Sequence, residues 1–190
     1  MQNRYIYKMN LDYYKNISNC TCYRKDREQN RNLALRNTEF LEKVIEVAFN
    51  PTDKAHHNAC WILELICERK LKLIVPYLDG FCEVLPKLKN DSAIRPMSKI
   101  CLFIAKSNHR SNGIKLTQMQ ETQLLETCLD WLIGDEKVAT KATTIKTLFV
   151  LGKKYDWVHG ELKTILQQGY SENSAAYKAV ARNILKKIER

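Results

Sequence analysis

Four stretches of the chain share one layout, opening near Asp53, Asp91, Asp135 and Glu172. Counting on from each acid, the seventh residue is small: Cys60, Ser98, Ala142 and Ala179. The thirteenth is a large aliphatic: Ile66, Ile104, Leu148 and Leu185. The tenth is apolar in three copies (Leu63, Cys101, Ile145) and is Arg182 in the last. Steps of three keep these positions on one side of a helix. The acids lie 38, 44 and 37 residues apart, the interval of helix-hairpin repeats that stack on one another. The predicted fold class is therefore all-α: a right-handed α-α superhelix, a solenoid of about four helix pairs behind an N-terminal extension. Turn formers are scarce. Six Gly and four Pro in 190 residues are too few for the tight turns of an all-β chain.

Each acid-led stretch pairs with a helix before it. Thr38 is expected to cap the first of these, with Leu41, Val44, Ile45, Val47 and Ala48 as its buried face. Asn50 and Pro51 end it, and Asp53 opens a partner helix reaching about Arg69. Pro76 marks the start of the second pair, whose stripe is Leu78, Phe81, Val84, Leu85 and Leu88. Its partner, Ser92 to Lys106, contains Pro96. Regular helix is expected either to begin at that proline or to be kinked in its first turn. The run Ser107 to Gly113 is the most loop-like in the chain and accounts for the long interval of 44. Thr117 opens the third pair, with Leu124, Leu125, Cys128, Leu129 and Leu132 as its stripe; Gly134 closes that helix and Asp135 is expected to cap the next. The last pair covers Trp157 to about Gln168 and Asn173 to the end, with Arg182 turned to water as befits a terminal copy.

The formal charge is +10, and it is uneven. Residues 1–36 hold eight Lys/Arg against three Asp/Glu, while the other 154 hold 23 against 18. Residues 1–36 are read as a basic N-terminal extension ending in a cap helix, and residues 37–190 as the helical-repeat domain. Within the extension, residues 1–22 are rich in Tyr and Asn and show no helical period, so an irregular lead-in is expected, its tyrosines packed on the first helices. No apolar run approaches the roughly 18 to 20 residues that cross a membrane, and the first residues lack the apolar core of a secretory leader. A cytoplasmic protein without membrane contact is expected. Seven cysteines with no C-x-x-C pair agree, since reduced thiols on apolar stripes behave as small hydrophobes. His56 and His57 are neighbours, about 100° apart around a helix, and His109 and His159 stand at no ligand spacing from them. Neither a metal nor any other cofactor is expected.

The acid-led helix pairs, with a small residue one stripe along, resemble HEAT and armadillo-type repeats over residues 38–190. Ala59-Cys60-Trp61-Ile62-Leu63-Glu64, Asp91-Ser92-Ala93-Ile94-Arg95-Pro96, the run Asp130 to Ala139 and Ile184-Leu185-Lys186-Lys187-Ile188 are similar to a group of short bacterial HEAT-like proteins. Members of that group often carry the label adenylosuccinate lyase. Lyases of that family bear a mobile Ser-Ser-x-Met-Pro-x-Lys-x-Asn loop, and the chain has no such run, so no catalytic residue carries over. The resemblance implies a scaffold whose second helices line a concave binding face.

Contacts on such a face are expected from cations at helical spacing: Arg95 with Lys99, Lys137 with Lys141, and Lys178 with Arg182, each pair on one helix face. Only Lys141 and Lys178 share a register; offsets differing by two residues are about 200° apart. Trp61 is the expected apolar anchor, because aromatic and Arg side chains dominate interface energetics. The predicted function is a non-enzymatic binding scaffold for a protein partner. The alternative is a nucleic-acid-binding or DNA-processing module, which would draw on Trp61, Trp131 and Asp130. No Gly-rich phosphate loop, G-x-S-x-G or H-E-x-x-H run is present, and a small-molecule substrate is not expected.

Overall fold

The computed structural model describes residues 13–171 and 173–189. No strand occurs among them, and they form two compact units, Met1–Met97 and Ser98–Arg190. The expectations for residues 1–12, and for Glu172 as an opening acid, lie outside the described residues.

In the first unit, residues 13–18 are helical rather than irregular. The tyrosines there do pack as expected. Tyr13 lies 5.4 Å from the Phe40 ring, and its hydroxyl accepts from Asn37 Nδ2 at 2.8 Å. Tyr14 donates to Asp53 Oδ1 at 2.9 Å. Helix α1 (Arg24–Ala34) buries only Ala34 and, apart from Leu33, is otherwise charged or polar. Helix α2 (Thr38–Ala48) buries Phe40, Leu41, Val44, Ile45, Val47 and Ala48, each large one contributing about 1.5–3 kcal/mol over an exposed position. Its cap is Asn37, not Thr38: the Asn37 carboxamide oxygen accepts from Phe40 N at 2.8 Å. Helix α3 (His56–Lys70) is buried on most sides because α1 and α2 both pack on it. Arg27 pairs with buried Glu64 at 3.9 Å, and Arg24 with Glu68 at 3.5 Å, so the charged α1 is clasped to α3.

A 3₁₀ segment (Leu71–Tyr77) contains Pro76, and helix α4 (Leu78–Val84) starts only after it. The expected stripe of Leu78, Phe81, Val84, Leu85 and Leu88 is buried throughout. Helix α5 (Asp91–Asn108) runs through Pro96. Proline has no N–H for the carbonyl four residues back, which here belongs to Ser92. That carbonyl instead accepts from Trp61 Nε1 at 2.7 Å. A side chain of α3 thus supplies the donor that Pro96 lacks.

The second unit holds the end of α5, then α6 (Gln118–Ile133), α7 (Val138–Leu151), α8 (Asp156–Gln168) and α9 (Ala175–Ile188). Thr117 caps α6 in a reciprocal box with Gln120, and Gly134 closes it. Asp135 does not cap α7; the capping position is Lys137, which makes no side-chain capping hydrogen bond. The buried face of α7 carries Thr140, Thr144 and Thr147 beside Ile145 and Leu148. Two of these hydroxyls are satisfied within the helix, Thr144 donating to the Thr140 carbonyl at 2.6 Å and Thr147 to that of Thr143 at 3.0 Å. Helix α7 packs on α6, α8 and α9. At Gly152, after α7, a Cβ would stand 2.1 Å from His159 Cδ2, so any larger residue there collides with the His159 ring, which stacks on Phe149 at 5.2 Å. Among the described residues no helix is long and apolar enough to cross a membrane.

Candidate binding surface

The second helices of the pairs carry the cations singled out by spacing. In the first unit, Arg95 is exposed one residue before Pro96, and Trp61 is half-buried on α3. The Trp61 ring meets His57 edge-on at 5.1 Å, while its N–H is held by Ser92. In the second unit Lys99 is half-buried on α5 and Lys137 is exposed at the α7 cap. Lys141 on α7 and Lys178 on α9, which share a register, are both half-buried, and these two helices pack on one another. Arg182 is exposed and its guanidinium donates twice to the Tyr170 hydroxyl, at 3.2 and 3.0 Å. Of the residues a DNA-processing site would use, Trp131 is 5% exposed and Asp130 is exposed.

A cleft of about 480 Å³ opens between α7 and α9 beside the end of α5. Phe149, Val150, Val180 and Ile184 form its floor, and Lys106, Lys146 and Lys187 stand around it, each on a different helix. Lys187 Nζ lies 5.9 Å from the Phe149 ring centroid, and Lys153 Nζ 5.8 Å. The three rim lysines do not form i, i+4 pairs, so helical spacing alone does not single them out. Repeat register does carry a signal: Lys106, Val150 and Lys187 all stand fifteenth after their opening acids.

The other prominent polar cluster is built on Glu121, 2% exposed on α6. It accepts from Asn108 Nδ2 at 2.6 Å, from Lys154 Nζ at 2.6 Å and from the Tyr155 hydroxyl. Burial pushes the Glu121 carboxyl up, but the three donors together outweigh it and hold the group below the usual glutamate value. Lys154 is raised, chiefly by its bond to Glu121. The adjoining connection is tied down too. Asn108 Oδ1 accepts from Leu116 N, Ser107 Oγ from Ile114 N, and Lys115 Nζ donates to the Asn108 and Arg110 carbonyls. A Cβ at Gly113 would fall 1.6 Å from the Ser107 carbonyl oxygen, so only glycine fits that approach. Ser107, Asn108 and Lys115 thus tie the loop-like run together, beside a cavity of about 400 Å³.

His56 and His159 are engaged in packing, while His109 is exposed. His56 is buried with Nδ1 3.4 Å from the Val47 carbonyl oxygen, and burial lowers its pKa. His159 Nε2 lies 2.9 Å from the Phe149 carbonyl oxygen. Cys20 is buried and Cys22 exposed, so these two cysteines, two residues apart, do not present their thiols to one environment.

A family model described as HEAT repeat domain matches residues 24–188, which takes in α1 through α9. No curated protein and no solved structure matches the chain.

Proposed function

Because the chain belongs to the HEAT repeat domain family, we propose that it acts as a non-enzymatic scaffold whose second helices contact a protein partner. The observation that carries this reading is the family match over residues 24–188; stacked helix repeats use the surface of one helix set for binding. Arg95, Lys137 and Arg182 are the exposed contacts, Lys99, Lys141 and Lys178 contribute from half-buried positions, and Trp61 offers the ring face left free of its hydrogen bond.

A photo-crosslinking amino acid placed at Lys137 or Arg182 tests the reading in the native cell, with Glu126 on α6 and Glu161 on α8 as first-helix controls. Discrete protein adducts from the second-helix positions alone are the expected result. Adducts from the controls only, or from none of the four, would overturn it. The net charge of +10 supports the nucleic-acid alternative, and a salt titration separates the two. Binding to a short duplex that weakens with a log–log slope of about −0.9 per phosphate neutralised is the signature of that alternative.

A further inference from the structure

We propose that the cleft between α7 and α9 is a docking site for an acidic amphipathic segment of the protein partner, an inference that rests on the scaffold reading above. Its floor is apolar and partly open: Phe149, Val150 and Val180 are each half-exposed over a buried Ile184. Among the described residues no carboxylate lines it. Its charged members, Lys106, Lys146 and Lys187, are exposed and come from three helices. Among the described residues none of the three lies within ion-pair distance of a carboxylate.

Charge complementarity selects the occupant. A fatty acid or lipid headgroup offers one anionic centre and leaves the lysines on the other helices unmatched. A nucleic-acid duplex offers many phosphates but keeps its bases stacked inside, away from an apolar floor. A helix with a hydrophobic ridge and carboxylates on both flanks matches floor and rim together, and helix-in-groove docking is a standard mode for such surfaces. Rim charges of this kind speed encounter and exclude basic competitors.

The test uses the full-length protein as bait for a displayed library of random peptides about twelve to sixteen residues long, three to four helical turns. Enriched peptides are synthesised and titrated by fluorescence anisotropy against the native protein and against Lys146→Glu, Lys187→Glu, Lys137→Glu and Lys25→Glu, with thermal melts to confirm that each variant folds. Peptides with apolar residues at i, i+3 and i+4 and flanking Asp or Glu are expected. Lys146→Glu and Lys187→Glu should each weaken them about tenfold, more at low salt than at high, while Lys25→Glu leaves them unchanged. No enrichment, neutral or basic peptides, or binding by both cleft variants as tight as that of the native protein overturns the proposal. Peptides that ignore the cleft variants but lose binding to Lys137→Glu also overturn it, and leave the scaffold reading standing with its contact elsewhere. Oleate vesicles and a short duplex are titrated in parallel; cleft-dependent binding of either, without peptide binding, overturns the peptide proposal and assigns the site to that ligand instead.

Discussion

At the scale of single residues, the Glu121 cluster shows what a polar group must do to live in this core. Its carboxylate is held by Lys154, Tyr155 and Asn108, and the depressed pKa fixes the sign of a pH effect. A carboxyl lowered in the folded state lends stability above its unfolded value, about 4.3, and loses it as pH falls through the folded value. Glu121→Gln should therefore cost about 1–3 kcal/mol at pH 7, and the gap from the native protein should close toward pH 3. Urea midpoints at the two pH values check this; a constant gap would mean that the carboxylate charge is not what the three donors hold. Part of this cluster was legible. Glu121 falls on the stripe of Leu124, Leu125 and Cys128, and an acid there invites the question of its partner. Lys154 and Tyr155 lie 33 and 34 residues further on, and nothing in the local sequence announces them.

Among elements, the helices and their buried faces follow from periodicity, because burial imposes the period wherever a neighbouring helix covers the stripe. Leu63, Cys101 and Ile145 are all fully or almost fully buried while Arg182 is exposed, so the break in the pattern marks where the covering ends. Helix starts were less legible. Asp53 accepts from Ala55 N at 2.7 Å and from Tyr14, and Asn90 accepts from Ser92 N at 2.8 Å. These side chains fold the turn ahead of the helix, a local use of Asx groups that competes with capping. The Trp61–Ser92 bond was not legible at all, since it depends on α3 meeting α5 beside Pro96. It yields a coupling. Trp61→Phe should cost about 1 kcal/mol in the native background. In a Pro96→Ala background it should cost less, because the substituted residue brings a backbone N–H that can serve the Ser92 carbonyl. A double-mutant cycle in urea reads the difference; additive costs would show that the indole N–H does not stand in for the missing donor.

At the scale of the molecule, repeat architecture was legible from the intervals between the acids, but the charge state of the buried groups needed the packed structure. Cys20, Cys60, Cys67 and Cys82 are all buried and all belong to the unit Met1–Met97. Burial, aided by the Asp26 carboxylate, pushes Cys20 up to about 11. Burial with Asp79 and Glu83 pushes Cys82 up to about 12, and burial raises Cys60 and Cys67 further still. In the unfolded chain each thiol ionises at about 8.5, so a group raised in the fold lends its stability below that value and loses it as pH rises toward the folded one. Each contributes a slope of about 1.4 kcal/mol per pH unit, and four together make alkali the weak side of this unit. With Trp131 and Trp157 replaced by Phe, Trp61 fluorescence follows its urea unfolding alone. The free energy should fall steeply between about pH 9 and pH 11, and Cys67→Ala should flatten that fall by about one thiol's share while lowering stability at pH 7 through lost packing. A slope unchanged in Cys67→Ala would mean that the thiol ionises inside the fold, which a side chain sealed among the apolar residues of α3 has no means to do.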